Sequence, residues 1–493
     1  MTAAANLNAY LRRISALERV AGLLDWDQGT QMPRRGASQR AEEAGAVAEA
    51  LHGLMADPLL AALCDAAEAE GTDARGAVDI AEARRLHSRA TRIDSRLAAA
   101  LAQATAEGQS VWEAAKAARR FADFAPALSR IVALKREEAG QLANGGPTYD
   151  ALLDDHEPGL TTAGAAALFD ALRPGLVALR GRIAARARPV KRPTGRFPAA
   201  AQLALSRRIG DAFGYDWNAG RLDLAVHPSS SGRLGDVRIT TRIDETEPFY
   251  SIFATIHEIG HALYEQGLDP EAALTPAGAS SSMGVHESQS RLMENQIGRG
   301  RAFAEWLFPA MREAFGDFGL AGPEELHRAA NRVETGFIRT EADEVHYNLH
   351  VMLRFDLERA MIAGDLAVAD LEAAWNERFA ADFGTRPPDA ASGVLQDVHW
   401  SAGAFGYFPT YTLGNVYAAE LDAALRADLP DLDASLAAGD VALVVGWLRP
   451  RIHRRGRMAP PARLIAEATG REPDPATLLA ALEAKFVPLY GLD

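Results

Sequence analysis

The sequence predicts a mostly α-helical protein that carries one small β-sheet. Only 7% of the residues are aromatic while 48% are hydrophobic, and alanine and leucine, both strong helix formers, are abundant. Near the N terminus, Leu7, Leu11 and Ile14 recur at the spacing of one helical face. The alternation of apolar and polar residues that is typical of a strand is convincing only over 222–226 and 237–243.

The N-terminal part of the chain reads as consecutive helices up to about residue 140. Turn-forming residues interrupt these helices over 25–36, and a second break lies over 144–147. Thr161 or Thr162 is then predicted to be the N-cap of a helix that continues to about Ala187. The segment 188–195, which contains two prolines and a glycine, is predicted to be a loop.

The two predicted strands are separated by a turn-rich segment, 228–232, which indicates a small hairpin or sheet edge inside a helical protein. The helical pattern returns from Glu247 onwards. Later loops are expected near three segments: 269–285, 386–409 and 429–433. No boundary is strong enough to divide the chain, so we expect one large unit over 1–493, with two lobes as an alternative arrangement of that unit.

Composition limits the partners and the compartment. The formal net charge of −14 argues against nucleic acid, because phosphate binding requires a positive surface. Cys64 is the only cysteine, which excludes an intramolecular disulfide and suits a reducing compartment. The N terminus lacks the apolar region of a signal peptide, and no apolar run is long enough to span a membrane. We therefore expect a cytoplasmic protein that binds neither membranes nor nucleic acids.

The segment from His257 to His261 has the pattern His-Glu-x-x-His. On a helix, residues i and i+4 lie on one face, so both imidazoles can reach the same ion. Glu258 can accept a proton from a water molecule whose pKa a zinc ion lowers towards neutrality. The alternative, two ordinary surface histidines, is disfavoured because unpaired polar side chains are costly among the apolar neighbours in this helix.

A catalytic zinc ion needs a third protein ligand and one open position. No third histidine follows at the short spacing of metzincins. The best candidate is Glu287, far enough after His261 for a loop and a return on a second helix. Its neighbour His286 could be the ligand instead or could orient a ligand, and Glu287 could merely be a carboxylate near a helix N terminus. Glu294, about two helical turns after Glu287, could support the ligands or be solvated.

These and other motifs resemble those of the carboxypeptidase Taq family of metallocarboxypeptidases, and the resemblance covers most of the chain. The family's HES/GQ motif is matched by His286, Glu287, Ser288 and Gln289. Three further family motifs, DXRXT, I/TRXXA/SD and GXXQDXHW, are matched in the family's order by segments 236–240, 338–343 and 393–400. One motif departs from the family pattern, since Ser229 stands where HPF has phenylalanine.

The resemblance implies a large helical metallopeptidase with a deep cleft and a small β-sheet beside the active-site helix. It implies a homodimeric enzyme that releases single amino acids from peptide C termini with broad preference. It also implies that Glu287 completes a zinc site with His257 and His261. Cobalt or manganese could occupy such a nitrogen and oxygen site, since selectivity depends partly on metal availability.

A carboxypeptidase must recognise a terminal carboxylate, and the guanidinium group of arginine pairs bidentately with carboxylates. Arg339 is the leading candidate because it is the arginine of the I/TRXXA/SD match. The alternative role for Arg339 is an ion pair with a nearby acid such as Glu341 or Asp343.

Peptide hydrolysis also needs a donor for the developing oxyanion. Tyr411 is the first candidate and His399 the second, with Tyr407 as a further choice, although each could be a packed ring whose polar end is satisfied. Five residues are interpreted as structural support of the site: Asp236, Arg238, His286, Gln396 and Asp397.

The sequence therefore predicts metal-assisted peptide hydrolysis in which Glu258 takes a proton from water and delivers it to the leaving amine. An oligopeptidase or dipeptidyl-type enzyme on the same scaffold is the alternative, because only the end of the cleft and the carboxylate-binding arginine distinguish the two. A catalytically silent metal-binding protein is disfavoured by the intact Glu258. A purely helical interaction protein is disfavoured by the histidine pair.

Overall fold

The computed structural model describes residues 2–143, 145–186 and 189–492. Within these residues there are twenty α-helices, which are α1 (Ala3–Thr30), α2 (Ala37–Ala56), α3 (Pro58–Glu70), α4 (Ala74–Arg92), α5 (Ser95–Ala118), α6 (Phe121–Ala143), α7 (Thr148–Leu153), α8 (Thr162–Arg186), α9 (Ala199–Phe213), α10 (Pro248–Gly267), α11 (Met283–Arg291), α12 (Arg301–Phe315), α13 (Pro323–Ala330), α14 (Glu344–Ala363), α15 (Leu371–Phe383), α16 (Pro409–Asp428), α17 (Leu432–Ala437), α18 (Ala442–Arg451), α19 (Pro461–Thr469) and α20 (Pro475–Tyr490). The mostly helical class predicted from composition and periodicity is confirmed.

The chain divides into two compact units, each built from three segments. The first unit comprises Met1–Thr91, Val190–Ala330 and Tyr417–Pro473. The second unit comprises Arg92–Pro189, Asn331–Val416 and Asp474–Asp493.

The N-terminal helices of the first unit pack through the faces that their spacing predicts. Leu7, Leu11 and Ile14 of α1 are buried in one cluster with Leu60 and Cys64 of α3. This burial stabilises the pair by removing apolar surface from water, at about 25 cal/mol for each Å². The predicted break over 25–36 is too long, because α1 continues to Thr30 before the chain turns.

The first unit also contains the β-sheet, whose topology differs from the prediction. Three strands, β1 (Gly220–Leu224), β2 (Ser230–Arg233) and β3 (Asp236–Thr241), lie in the order β1-β3-β2. The two predicted strands correspond to β1 and β3, which pair in parallel, so they are not a hairpin. The hairpin is β2–β3, and most of the predicted turn 228–232 belongs to β2. Serine and glycine have low strand propensity, which the ladder to β3 overrides here.

The sheet lies beside α10, as the sequence predicts. The Thr255 hydroxyl of α10 donates a hydrogen bond to the Thr241 hydroxyl of β3 at 3.1 Å, and both side chains are fully buried. The backbone amide of Leu234, in the β2–β3 turn, donates to the Glu265 carbonyl oxygen of α10 at 3.0 Å. The sheet therefore fixes both the middle and the C-terminal part of α10 within the first unit.

Helix α8 of the second unit confirms the predicted helix that starts after Thr161. The Thr161 hydroxyl accepts a hydrogen bond from the Gly164 amide at 3.0 Å, as an N-cap does. The helix is described up to Arg186. Ala187, the predicted helix end, and Asn144 and Arg188 of the predicted breaks lie outside the described residues.

One helix of the described residues, α8, passes a test of length and composition for crossing a membrane, which is weak evidence because core helices pass the same test. Of its 18-residue apolar window, 28% is buried. Five of its apolar residues are buried at helical spacing where α8 packs on α14 and α20: Phe169, Leu172, Leu176, Leu179 and Ile183. These five residues form the face of α8 that packs in the core of the second unit.

Candidate active site

Helix α10 is mostly buried, but one of its faces is partly exposed. It begins at Pro248, a residue suited to a first turn, and the Glu247 side chain accepts a hydrogen bond from the Phe249 amide at 3.3 Å. Its apolar residues are almost completely buried: Ile252, Phe253, Ile256, Ile259 and Leu263. His257 and His261 lie on the partly exposed face. Burial thus separates the core side of α10 from the side that carries the histidines.

Gly260, inside the His-Glu-x-x-His motif, allows α11 to cross α10 at backbone contact. A Cβ atom at this position would lie 2.6 Å from the Gln289 carbonyl oxygen and 2.6 Å from the Ser290 Cα atom, which is too close for any side chain. The Ser282 hydroxyl caps the start of α11. Glu287, on the second turn of α11, consequently faces the two histidines.

The three predicted metal ligands converge. Oε2 of Glu287 lies 3.4 Å from Nε2 of His261 and 3.7 Å from Nε2 of His257. Each side chain offers one ligand atom within 4.8 Å of the other two, and the described part of the chain contains no second group of this kind. Because zinc binds imidazole nitrogen and carboxylate oxygen at about 2.0–2.2 Å, atoms with these separations can share one ion.

Each histidine is oriented through its other ring nitrogen. Nδ1 of His257 donates to Oε2 of Glu294 at 3.0 Å, and Nδ1 of His261 donates to the carbonyl oxygen of His286 at 3.0 Å. Donation from Nδ1 leaves Nε2 with a free lone pair, which is the form that binds a metal. The ring of His286, the alternative candidate for the third ligand, contacts His261 and Glu265 and lies outside the cluster of three ligand atoms.

A π-helical turn carries Glu294 to His257. Helix α11 ends at Arg291 and continues as the π-helix Leu292–Gly298, a rare geometry that is often found at functional sites. Glu294 is largely buried there and pairs with Arg299 at 2.9 Å. Arg291 pairs with both Glu294, at 3.4 Å, and Oε1 of Glu287, at 2.7 Å. The interpretation of Glu294 as a solvated carboxylate is therefore wrong.

Burial and neighbouring charges set the protonation of the ligands. Burial lowers the pKa of His261 to about 4, and His286 adds to this effect. Burial alone would raise the pKa of Glu287, but Arg291 and His257 outweigh it and hold the pKa well below its usual range. Burial also acts to lower the pKa of His257, where Glu287 and Glu294 prevail and raise it. A cation at this site would compete with a proton on His257. Burial raises the pKa of the adjacent Glu258 to about 7.

The donor set fits a divalent transition metal. Two imidazole nitrogens and one carboxylate oxygen leave the fourth position of a tetrahedral site open, as in catalytic zinc centres. The side chains of His257, His261 and Glu287 are 18%, 16% and 8% exposed, so they are held rigidly while one side stays accessible.

A model of the carboxypeptidase Taq (M32) metallopeptidase family matches residues 6–486. The chain belongs to this family. Thermostable carboxypeptidase 1 of Thermus thermophilus is 42% identical over 505 residues, which cover 99% of this chain and 98% of that enzyme. The crystal structure of the M32 carboxypeptidase from Deinococcus radiodurans R1 matches with a TM-score of 0.95 and 37% identity, covering 99% of both chains. Metallocarboxypeptidase 1 of Trypanosoma cruzi matches with a TM-score of 0.95 and 33% identity, covering 98% of this chain and 99% of that one.

The similarity to M32 carboxypeptidases extends over nearly the full length of the chain, so this protein is a metallocarboxypeptidase that acts on peptides. The resemblance stated from the motifs is confirmed. Membership of a metallopeptidase family implies a metal ion, and the His257, His261 and Glu287 cluster has the donor set to hold it.

Arg339 of this M32 chain lies in a second buried cluster, within the second unit. Its Nε and Nη2 atoms are each 3.0 Å from Oδ1 of Asp397, and its Nη1 atom donates to the Tyr347 hydroxyl at 3.1 Å. The acid paired with Arg339 is thus Asp397, whereas the alternative interpretation named Glu341 or Asp343. Asp343 instead caps α14. The spacing of charges along a helix could not indicate this contact, because 58 residues separate the two partners.

Asp397 is shared between two arginines. Its Oδ2 atom accepts a hydrogen bond from Nε of Arg354 at 2.6 Å. One carboxylate therefore faces two guanidinium groups, which leaves positive charge in excess. Gln396 holds the same segment, since its Oε1 atom accepts from the Arg339 amide at 2.8 Å and its Nε2 atom donates to the Phe337 carbonyl oxygen at 2.9 Å.

His399, Tyr407 and Tyr411 form an aromatic group beside this cluster. Nε2 of His399 lies 3.3 Å from the Tyr411 hydroxyl, and the Tyr407 ring lies 5.5 Å from His399 and 5.3 Å from Tyr411. The Arg339 guanidinium lies 4.7 Å from the Tyr411 ring centre. Burial lowers the pKa of His399 to about 4, so its imidazole is neutral at neutral pH. The structure thus brings together the four residues predicted to bind substrate.

Asp236 and Arg238 form an ion pair on β3, with contacts of 2.8 and 3.1 Å. The Arg238 guanidinium also lies 4.3 Å from the Trp26 ring centre, which connects β3 to α1. Ser229, at the position of the family phenylalanine, donates its amide to the Thr240 hydroxyl at 2.8 Å. These contacts are those of structural support for the sheet.

Three supporting residues were missed by the sequence analysis. Arg291 had a usable signal, because it stands four residues after Glu287, where a helix brings opposite charges together. Glu265 is buried and accepts from His286, and Gly260 permits the helix crossing, but both roles depend on contacts between helices.

Removing the Glu294 carboxylate should weaken metal binding. We expect Glu294→Ala to lower metal affinity about 10–100-fold, because the carboxylate that orients a metal-binding imidazole typically contributes this much. Arg291 keeps Glu287 as a partner and Arg299 keeps its hydrogen bond to the Ala330 carbonyl oxygen, so the variant should stay folded. Competition with a chelating dye would measure the affinity, with Glu313→Ala on exposed α12 surface as the control. Wild-type affinity in the Glu294 variant would show that this contact does not support the site.

Proposed function

We propose that this metallocarboxypeptidase releases single amino acids from peptide C termini, with broad side-chain preference and one zinc ion for each chain. The observation that carries the proposal is the convergence of His257, His261 and Glu287, with Glu258 on the same helix as both histidines. Two imidazoles and a carboxylate favour zinc, and Co²⁺ or Mn²⁺ would bind to the same nitrogen and oxygen donors.

When bound, the metal polarises a scissile carbonyl and lowers the pKa of water. Glu258 accepts the proton of the attacking water and passes it to the nitrogen of the leaving amine. Glu258 is 6% exposed, so most of its side chain is enclosed by protein. His257 and His261 keep their orientation through Glu294 and the His286 carbonyl group.

Mass spectrometry of a peptide ladder tests this proposal. Incubation with the enzyme should shorten a peptide from its C terminus by one residue at a time, and free amino acids should accumulate. A chelator should stop the reaction, and Glu258→Gln should slow the growth of the ladder by about 10²–10⁴-fold. Release of dipeptides, or internal cleavage, would favour the oligopeptidase alternative instead.

We assign recognition of the terminal carboxylate to Arg339. Arg339 and Arg354 together carry one more positive charge than Asp397 neutralises, and a buried excess charge favours an anionic ligand. Tyr411, which bonds to His399 and underlies Arg339, stays our first candidate for the donor to the developing oxyanion. His399 is the second candidate, and Tyr407 is assigned to the wall of the same cluster.

Arg339→Ala should impair hydrolysis of free-acid peptides about tenfold to a hundredfold, since a hydrogen bond to a charged group contributes about 1.5–3 kcal/mol. Hydrolysis of the same peptides with amidated C termini should change little, because the amide lacks the charge that Arg339 would bind. Asp397 keeps Arg354 as a partner, so the substitution leaves no unpaired buried carboxylate. The measurement is kcat/KM for both forms of each peptide.

Arg173→Ala is the matched control for Arg339→Ala. It also removes a largely buried arginine from the second unit, and Arg378 remains paired with both acids that Arg173 contacts, Asp356 and Asp382. Both peptide forms should be cleaved by this variant at similar rates relative to the wild type. Equal losses on the two peptide forms with Arg339→Ala would assign Arg339 a structural role and leave the carboxylate to another residue.

The assembly and the location of the enzyme stay predictions. We propose a homodimer in which residues 1–493 of each chain act as a single catalytic unit, and sedimentation equilibrium would measure the mass. We also propose a cytoplasmic location, which the single, fully buried Cys64 supports because no disulfide is needed for stability.

A further inference from the structure

Glu358 of α14 has a fully buried carboxylate that contacts the loop between α15 and α16. Its Oε1 atom accepts a hydrogen bond from Nε1 of Trp400 at 2.7 Å. Its Oε2 atom accepts from the Tyr149 hydroxyl at 2.6 Å and from the Gly406 amide at 3.0 Å. The side chain of Glu358 has no exposed surface, so these three donors replace the water that a carboxylate would otherwise bind.

Two of the three donors belong to the loop and stand next to residues of the aromatic group. Trp400 directly follows His399, and Gly406 directly precedes Tyr407. One carboxylate therefore holds both ends of the 400–406 segment, through the indole of Trp400 and the backbone amide of Gly406. The Tyr407 ring lies 5.5 Å from His399 across that segment.

Contacts with residues other than Glu358 also restrict the loop around Gly406. Gly406 has a φ of +80°, and a Cβ atom there would lie 2.5 Å from the Leu152 carbonyl oxygen. The backbone is thus pressed against α7 on one side and bonded to Glu358 through its amide. Trp400 packs edge-on against Trp375, with ring centres 6.0 Å apart, which fixes the other side of the segment.

We infer that Glu358 is a positioning residue, which sets the separation and orientation of His399 and Tyr407 by binding Trp400 and Gly406. The inference deepens the proposed function and rests on it, because it assumes that the aromatic group contacts substrate. Glu358 touches neither substrate nor metal in this assignment. Both bonds to the loop survive protonation of the carboxyl group, since a protonated Glu358 can donate to the Tyr149 hydroxyl, which accepts as well as donates.

Glu358→Gln tests the inference because an amide cannot satisfy all three donors. If its oxygen faces Tyr149 and Gly406, its NH₂ group opposes the Trp400 N–H. If the amide is flipped, its NH₂ group opposes the Gly406 N–H. Tyr149 can adapt by accepting, but neither loop donor can. In both orientations one of the two loop contacts is therefore lost while the volume of the side chain stays the same.

Two measurements separate the inference from the proposed function. The first is hydrogen exchange of segment 399–407, which should become about tenfold faster in Glu358→Gln. The second is a cycle of Glu358→Gln with His399→Ala on a free-acid peptide. Glu358→Gln alone should lower kcat/KM about tenfold, mainly by raising KM, and should add little in the His399→Ala background.

Asp382→Asn is the matched control for Glu358→Gln. Asp382 is a buried carboxylate of the second unit, its partner Arg173 keeps Asp356, and it bonds to neither Trp400 nor Gly406. This variant should change neither the exchange of 399–407 nor KM, and its effect should add to that of His399→Ala.

Unchanged exchange of 399–407 in Glu358→Gln would overturn the inference, as would losses that add fully in the cycle. His399→Ala could leave kcat/KM unchanged while segment 399–407 of Glu358→Gln exchanges faster. That result would contradict the assignment of His399 to substrate binding, and Glu358 would still be the residue that positions the loop.

Discussion

Glu258→Gln should retain one metal ion for each chain and lower kcat by about 10²–10⁴-fold. Glutamine has the shape of glutamate, but its amide cannot take a proton from water at neutral pH. The substitution leaves the ligand set unchanged, because His257 and His261 are oriented by Glu294 and by the His286 carbonyl group. Turnover of a free-acid peptide, together with metal content by atomic spectroscopy, gives both quantities from one preparation.

Glu265→Gln is the control for this substitution. Glu265 lies on the same helix and is equally buried, but it contacts His286 and Arg233 and none of the metal ligands. We expect its kcat to stay within about tenfold of the wild-type value. A Glu258→Gln enzyme with metal bound and wild-type kcat would show that another group takes the proton.

Glu287→Ala should abolish both metal binding at equimolar metal and activity. In the proposed assignment the carboxylate supplies one of three protein ligands, and its Oε2 atom faces Nε2 of both histidines. Without it, two imidazoles and water remain, a set that binds zinc far more weakly than three protein ligands do. Dialysis against a chelator should inactivate the wild type in the same way, and added zinc should restore the wild type alone.

His286→Ala distinguishes the two candidates for the third ligand. His261 bonds to the backbone carbonyl of residue 286, which alanine keeps, so metal should stay bound with at most an affinity loss of about 10–100-fold. The opposite pattern, in which His286→Ala loses the metal and Glu287→Ala keeps it, would reverse the assignment.

Local patterns predicted the parts of this protein that depend on local interactions. The spacing of Leu7, Leu11 and Ile14 identified a buried helical face, and Thr161 was a recognisable cap. The i, i+4 pair of histidines placed both rings on one face, which the burial pattern of α10 reproduces. Each of these features is decided within one or two turns of helix, so the residues concerned are neighbours in the sequence.

The features that were missed depend on packing between distant segments. Ser230–Arg233 forms a strand only because β3 is available to pair with it. The partner of Arg339 is 58 residues away, and the donors to Glu358 come from Tyr149 on one side and from Trp400 and Gly406 on the other. The π-helical turn that carries Glu294 has no established sequence signature, so a regular helix was the natural expectation.

The crossing at Gly260 has a consequence for transferring this centre to another scaffold. Ordinary helix pairs are kept about 8–10 Å apart by their side chains, whereas here the backbone of α11 occupies the space of a missing Cβ atom. The two unspecified positions of the motif are therefore not equivalent: residue 259 needs only an apolar side chain, while residue 260 has to be glycine. If His257, His261 and Glu287 were transferred to two helices with the usual spacing, the Glu287 carboxylate would lie too far from the histidines to share an ion with them.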